Sequence, residues 1–286
     1  MSERSSTATL MVSCPDRKGL VAALATLLAD HGANIVRAQQ HTDGSQRRFF
    51  QRIQFELADL AIDREALEGL LRIECARYDM QWRIAYGDRI RRVALFVSRS
   101  EHCLWDLFLR HRLGELRCEI VCVISNHPDL EPVARQFGVP FHLLPITPET
   151  RSAQEARQLE ICQGAAVDLI VLARYMQILS EDFIRHFPER IINIHHSFLP
   201  AFAGARPYHQ AFERGVKLIG ATAHYATADL DEGPIIAQEV VRASHRDSIA
   251  DLVRKGRDVE RAALAAAVRA HLEDRIWVHG RRTIVF

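Results

Sequence analysis

The sequence predicts an α/β protein in two parts: a ferredoxin-like unit of order βαββαβ, then a doubly wound, mostly parallel, Rossmann-like domain. Three observations predict it. Over residues 7–86 the hydrophobic pattern switches between strand and helix periods in that order. From residue 92 onward, short near-continuous runs of Val, Ile and Leu alternate with helix-like segments, the pattern of a parallel sheet covered on both faces. Between them stands the polar join Gly87-Asp88-Arg89-Ile90-Arg91-Arg92, where we place the boundary between parts 1–87 and 88–286.

Residues 7–13 read as the first strand, and Asp16-Arg17-Lys18-Gly19 opens an apolar helix over 20–29 that His31-Gly32 closes. Strands follow at 34–40 and 49–57 around the polar turn Asp43-Gly44-Ser45. A helix at 62–76 takes Asp63 as its cap, and 79–86 returns as a strand. Beyond the join, strands are expected at 92–97, 118–124, 141–144, 167–173 and 191–195, with helices at 103–112, 130–137, 149–163 and 181–187. Residues 248–272 form an Ala-rich helix whose apolar positions recur at the spacing of a buried face. Segments 276–279 and 283–286 flank Gly280-Arg281-Arg282 as a closing hairpin.

Composition narrows the function classes. With 286 residues, 48% hydrophobic and 26% charged, the chain can bury a sizeable core. Its 37 basic and 36 acidic residues leave a net charge of +1, so no global field recommends nucleic acid or an anionic membrane as a partner. No apolar run approaches a membrane span, and Met-Ser-Glu-Arg-Ser-Ser-Thr at the start lacks a signal peptide's apolar segment, so a cytoplasmic location is expected. Six scattered cysteines without a Cys-x-x-Cys pair read as buried thiols in a reducing compartment. After the first strand of the second part stands Ser98-Arg99-Ser100-Glu101-His102 rather than Gly-x-Gly-x-x-Gly, and no phosphate-binding Gly-x-x-x-x-Gly-Lys-Ser/Thr occurs. Neither a dinucleotide nor any other tightly bound cofactor is expected.

The chemistry is expected between residues 191 and 238. If 191–195 is a strand, Asn193 and His195 project from one face, roughly 6–7 Å apart, while Ile192 and Ile194 bury on the other. Asp231 sits in an acidic loop that must turn at Gly233-Pro234 before the apolar Ile235-Ile236. An amide donor, an acid-base group and a carboxylate are what hydrolysis or transfer at a carbonyl carbon needs. Taken singly, each has a plainer reading: Asn193 as a turn residue, His195 and His196 as structural histidines, Asp231 as a loop brace. A metal-dependent hydrolase built on His195, His196, His209 or His224 with Asp231 is a rival, but no His-Glu-x-x-His or paired-cysteine spacing supports it, and no metal is expected.

Two resemblances sharpen this. Cys14-Pro15-Asp16-Arg17-Lys18-Gly19-Leu20-Val21 and His31-Gly32-Ala33-Asn34-Ile35 resemble the ACT domain, a small-molecule-sensing and dimer-forming module that often has Pro where Lys18 stands. The resemblance implies an amino-acid effector near Asp16, Lys18 and Asn34, or a unit that only dimerises. From residue 91 the chain resembles the folate-dependent formyltransferases, through residues 168–179 (DLIVLARYMQIL), 193–200 (NIHHSFLP) and 229–234 (DLDEGP). Taken whole, it resembles the formyltetrahydrofolate deformylase family.

That resemblance implies hydrolysis of 10-formyltetrahydrofolate to tetrahydrofolate and formate, which would feed one-carbon or purine metabolism. It makes Asn193, His195 and Asp231 catalytic, the first two stabilising the formyl oxyanion and Asp231 positioning and activating water. It assigns the pterin pocket to Tyr175, Met176, Gln177, Leu179, Thr227, Ala228 and Leu230. The transferase relatives that act on glycinamide ribonucleotide have a Gly- and Asn-rich phosphate loop where Arg99, Glu101 and His102 stand here, and the methionyl-tRNA relatives have an added RNA-binding domain that this chain lacks, so water is the expected acceptor. Formyl transfer to an amine is the alternative within the enzyme class, and a non-catalytic folate sensor is the alternative outside it. A homodimer or homotetramer is expected.

Overall fold

The computed structural model describes residues 7–200 and 207–286. Residues 1–6 and the Gly-rich turn expected after Pro200 lie outside the described residues. The chain divides into two compact units, one of residues 1–90 with Asp274–Trp277 and Ile284–Phe286, the other of Arg91–Glu273 with Val278–Thr283.

The first unit runs β1 (Thr7–Pro15), α1 (Leu20–Asp30), β2 (Ile35–Asp43), β3 (Arg48–Glu56), α2 (Arg64–Arg77) and β4 (Gln81–Tyr86). Its antiparallel sheet has the order β2-β3-β1-β4. Gly19, at φ 91°, supplies the left-handed step into α1, and the Asp63 carboxylate accepts from the Ala66 amide to cap α2. Ala8, Leu10, Val12 and Cys14 point from β1 into a core with Leu24 and Leu28 of α1 and Leu67 and Leu71 of α2. The opposite face is also covered. Arg52, 2% exposed, donates from Nε to the Asp274 carbonyl at 2.9 Å. Arg83 donates to the Ile276 carbonyl and carries its guanidinium over the Trp277 ring.

The second unit runs β5 (Arg91–Val97), α3 (His102–Arg112), β6 (Cys118–Ser125), α4 (Glu131–Gln136), β7 (Phe141–Leu143), α5 (Arg151–Gly164), β8 (Leu169–Leu172), α6 (Glu181–Arg185), β9 (Ile191–His195), α7 (Pro207–Glu213), β10 (Leu218–Tyr225), β11 (Ile235–Arg242) and α8 (Ile249–Leu272). The hairpin of β12 (Ile276–His279) and β13 (Arg282–Val285) follows. The seven-stranded sheet has the order β11-β10-β9-β8-β5-β6-β7, with β5 to β9 parallel and β10 and β11 antiparallel. Ala94, Phe96, Cys122, Ile124, Ile170 and Leu172 face α5 and α6 through Cys162, Phe183 and Phe187. Helix α8, entered through a Ser248–Asp251 capping box, lies against β9, β10, β11, α3 and α7.

The fold class is the expected one, but β10 and β11 are strands that the hydrophobic pattern does not announce. From β5 the chain moves outward through β6 and β7, then returns to β8 on the other side. That reversal opens a crevice beyond the carboxyl ends of β5, β8 and β9. All six cysteines are unpaired, and all but Cys118 are buried. Among the described residues no helix is long and apolar enough to cross a membrane.

Candidate active site

Strand β9 ends in the crevice, and its register fixes what surrounds it. Leu172 of β8 lies beside Asn193 on one side; on the other, antiparallel β10 sets His224 opposite Asn193 and Thr222 opposite His195. His224 Nδ1 donates to the Tyr225 carbonyl at 2.9 Å, so its Nε2 lone pair faces the Asn193 amide, whose Nδ2 is 3.2 Å away. The same Nδ2 donates to Asp231 Oδ1 at the looser distance of 3.5 Å.

Asp231 is held in place by backbone geometry. Its φ of 57° is left-handed, and two residues on a Cβ at Gly233 would lie 1.7 Å from the Tyr225 carbonyl oxygen. The Tyr225 amide donates to the Pro234 carbonyl at 3.0 Å, which pins the acidic loop to the end of β10. Asp231 Oδ2 thereby comes 3.1 Å from His195 Nδ1, and Oδ1 comes 3.6 Å from His224 Nε2. Burial alone would raise the Asp231 carboxyl, but its contacts with His195 and His224 outweigh burial and hold it well below the ordinary carboxylate range. The His195 contact is the shorter of the two.

With Nδ1 turned to Asp231, His195 presents Nε2 on the opposite side of its ring. That atom is buried and has no partner in the protein. His195, Asn193 and Asp231 all line a cavity of about 450 Å³. The neighbouring ring of His196 is of another kind: burial, helped by the Arg174 guanidinium and His195, pushes it down to about 4, which leaves it a neutral imidazole.

The structure brings all seven sequence-proposed pocket residues to this cavity. Tyr175, Met176, Gln177 and Leu179 come from the segment after β8, and Thr227, Ala228 and Leu230 from the segment after β10. Ser98, at the end of β5, steadies the first segment by accepting from the Met176 amide at 3.0 Å while donating to Asn126 at 2.7 Å. Gln158 donates to the Tyr175 hydroxyl, so that ring offers the cavity an apolar edge. Met176 and Leu230, each 59% exposed, form an apolar rim. Sequence reasoning missed His224 as a partner of Asn193, because only the β9–β10 register brings them together. It also missed Arg174, at φ 64° on the cavity wall.

The three residues proposed for an effector do not meet within one chain. Asp16 follows the end of β1, where Pro15 pairs with Arg48, and its amide donates to the Arg47 carbonyl. Asn34 sits at the other end of β3, where the Glu56 amide donates to its carbonyl and its side chain donates to the Glu56 carboxylate at 2.8 Å. The length of β3, roughly 25 Å, separates them. Lys18 is exposed in the turn beside Asp16.

Metal-ligand atoms cluster elsewhere. Among the described residues, the group with donor atoms within 4.8 Å of one another is His102, Cys103 and Glu260, not the histidines around Asp231. Burial pushes the Cys103 thiol far up, and His102, Tyr208 and Arg174 already surround the Glu260 carboxylate, so this donor set reads as an internal ion cluster.

The chain matches the formyl transferase family over residues 91–268 and the ACT domain over residues 8–73. It is 55% identical over 280 residues to a formyltetrahydrofolate deformylase of Synechocystis sp., covering 98% of each chain. The structure is similar to that of a formyltetrahydrofolate deformylase from Pseudomonas syringae pv. tomato, with a TM-score of 0.96 at 45% identity, covering 99% of this chain and 95% of the other. It is also similar to glycinamide ribonucleotide transformylase 1 from Symbiobacterium toebii, with a TM-score of 0.64 at 35% identity, covering 69% of this chain and 94% of that one.

Proposed function

Because the chain belongs to the formyltetrahydrofolate deformylases, an ACT domain joined to a formyl transferase domain, we propose that it hydrolyses 10-formyltetrahydrofolate at Asn193, His195 and Asp231. The observation that carries this assignment is the meeting of Asn193, His195 and Asp231 on the wall of one cavity, with the Asp231 carboxylate against His195 Nδ1 and the buried Nε2 left without a partner.

The folate enters the cavity with its pterin against the segments after β8 and β10 and its formyl group at the trio. Water attacks the formyl carbon, and the carbonyl electron pair moves onto oxygen. The oxyanion is met by His195, when suitably protonated, from Nε2 and by the Asn193 amide. Asn193 keeps its bond to His224 and gives up the looser one to Asp231. Asp231 orients the water and helps take up the proton it loses. That proton passes to N10 as the bond from carbon to N10 breaks, and tetrahydrofolate leaves with formate, whose acid proton goes to solvent.

On the ACT domain we place an amino-acid effector at the turn bearing Asp16 and Lys18. Asn34 joins it only if a second copy supplies that residue, which suits a homodimer or homotetramer in the cytoplasm. The test of the enzyme reading is formate release from 10-formyltetrahydrofolate by purified, chelator-treated protein with no acceptor added. Release by the wild type, and at least about a hundredfold less by Asp231→Asn, is the expected result. Folate binding without formate from the wild type would overturn it.

A further inference from the structure

A second cavity, of about 490 Å³, opens at the same edge of the sheet and is lined by Arg99, Ser100, Glu101, His102, Trp105, Arg257 and Arg261. No residue lines both this cleft and the folate cavity. Glu260 of α8, 2% exposed, stands between them. His102, from the cleft wall, meets Glu260 Oε2 at 2.8 Å; Arg174, from the folate cavity wall, holds Nε 3.4 Å from the same oxygen. Tyr208 donates to Oε1 at 2.7 Å, passing so close to α8 that a Cβ at Gly256 would lie 2.0 Å from its hydroxyl oxygen. The Tyr208 ring is 6.2 Å from that of His196, which is 5.1 Å from that of His195. The cluster therefore reaches to within one ring of the catalytic histidine.

A buried ion cluster is weak as a device for stability, because well-packed apolar side chains of similar size commonly do as well. Its retention calls for another role, and its place supplies one. The structurally similar transformylase from Symbiobacterium toebii bears the name of an amine-containing nucleotide, and a larger acceptor of that kind needs a path to the formyl carbon that water does not. Accordingly, and resting on the hydrolase reading above, we propose that Arg174, Glu260, His102 and Tyr208 form a partition that shuts the cleft off from the formyl group and so makes water the acceptor. The partition works by volume and by charge. Four linked side chains stand between the two cavities, and the Arg174 guanidinium repels any alkylammonium that approaches.

In the excluded reaction the amine nitrogen bonds to the formyl carbon and loses a proton, the bond from carbon to N10 breaks, and N10 gains a proton. No further reactant is needed. Arg174 is the residue to remove. Its φ of 64° is one that glycine adopts without strain, so Arg174→Gly clears the wall and relaxes the backbone, while Glu260 keeps His102 and Tyr208.

The experiment incubates wild type, Arg174→Gly and Arg174→Lys with 10-formyltetrahydrofolate and glycinamide, and measures N-formylglycinamide and formate by mass spectrometry. The wild type and Arg174→Lys are expected to yield formate with no N-formylglycinamide above the protein-free background, and Arg174→Gly to raise the amide about tenfold or more above that background. His102→Ala, which opens the partition from the cleft side, repeats the test should Arg174→Gly lose its fold. A wild-type ratio in folded variants that still release formate overturns the partition, as does amide formation by the wild type. Absence of formate from the wild type instead sinks the hydrolase reading on which it rests.

Discussion

Asn193 is held by two bonds of unequal strength, and that inequality is what lets it work. Bonded to His224 at 3.2 Å and to Asp231 at only 3.5 Å, its amide can turn one hydrogen toward a developing oxyanion without leaving a buried donor stranded. Asn193→Ala is therefore expected to lose roughly 100- to 1000-fold in kcat with an unchanged circular dichroism spectrum, the loss measured when one oxyanion donor is removed. Turnover within a few-fold of wild type would contradict the role. His196 supports a prediction of another sort. Its folded-state value of about 4 lies below the ordinary imidazole value of about 6.5, so between those pH values the unfolded chain holds a proton that the folded chain refuses. Stability should thus be intact near pH 7 and fall as pH drops from about 6.5 toward 4, by at most about 3 kcal/mol from this group before solvent screening. Comparing urea midpoints at pH 7 and pH 5 tests this, and His196→Asn should shrink the difference. At this scale the sequence was informative where chemistry follows local spacing, as with Asn193 and His195 on one strand face. It offered His224 only as a ligand in the rival metal reading, because the pairing of His224 with Asn193 depends on the register of a strand about thirty residues away.

The segment between β10 and β11 shows how an element positions a side chain. The left-handed Asp231 and the tight approach of Gly233 to Tyr225 form one turn, and the turn aims the carboxylate. Gly233→Ala should force the turn outward and cost activity comparable to Asp231→Asn while most of the sheet persists; near-normal formate release would show that the turn can adjust. The flanking strands were illegible in the sequence for a related reason. In β10 the residues Gly220, Ala221 and Ala223 are small, and at Gly220 a Cβ would lie 2.6 Å from the Glu239 carbonyl, so close approach rather than strand propensity decides at that position. Strands β5, β6, β8 and β9 were legible because burial on both faces writes them as continuous apolar runs. Asp16 was read as the entry to a helix and Asn34 as the start of a strand, but local signals do not say that the two lie at opposite ends of one sheet.

At the scale of the molecule, the first unit takes in Asp274–Trp277 and Ile284–Phe286 as well as the residues before Arg91, a return the sequence does not signal, because nothing in a short hairpin specifies which surface it covers. Removing residues 274–286 takes away the carbonyls that Arg52 and Arg83 use and should destabilise the first unit by a few kcal/mol. Limited proteolysis would then cut within residues 7–86 much faster than in the full chain, and equal protection would contradict it. The same arrangement bears on how the protein is made. Arg52 leaves the ribosome 222 positions before Asp274, a wait of roughly 10 to 45 seconds at typical synthesis rates of about 5–20 residues per second. The domain translated first is thus finished late, and throughout that interval one face of its sheet stands open to chaperones, or to the same face of a nascent neighbour on the same messenger.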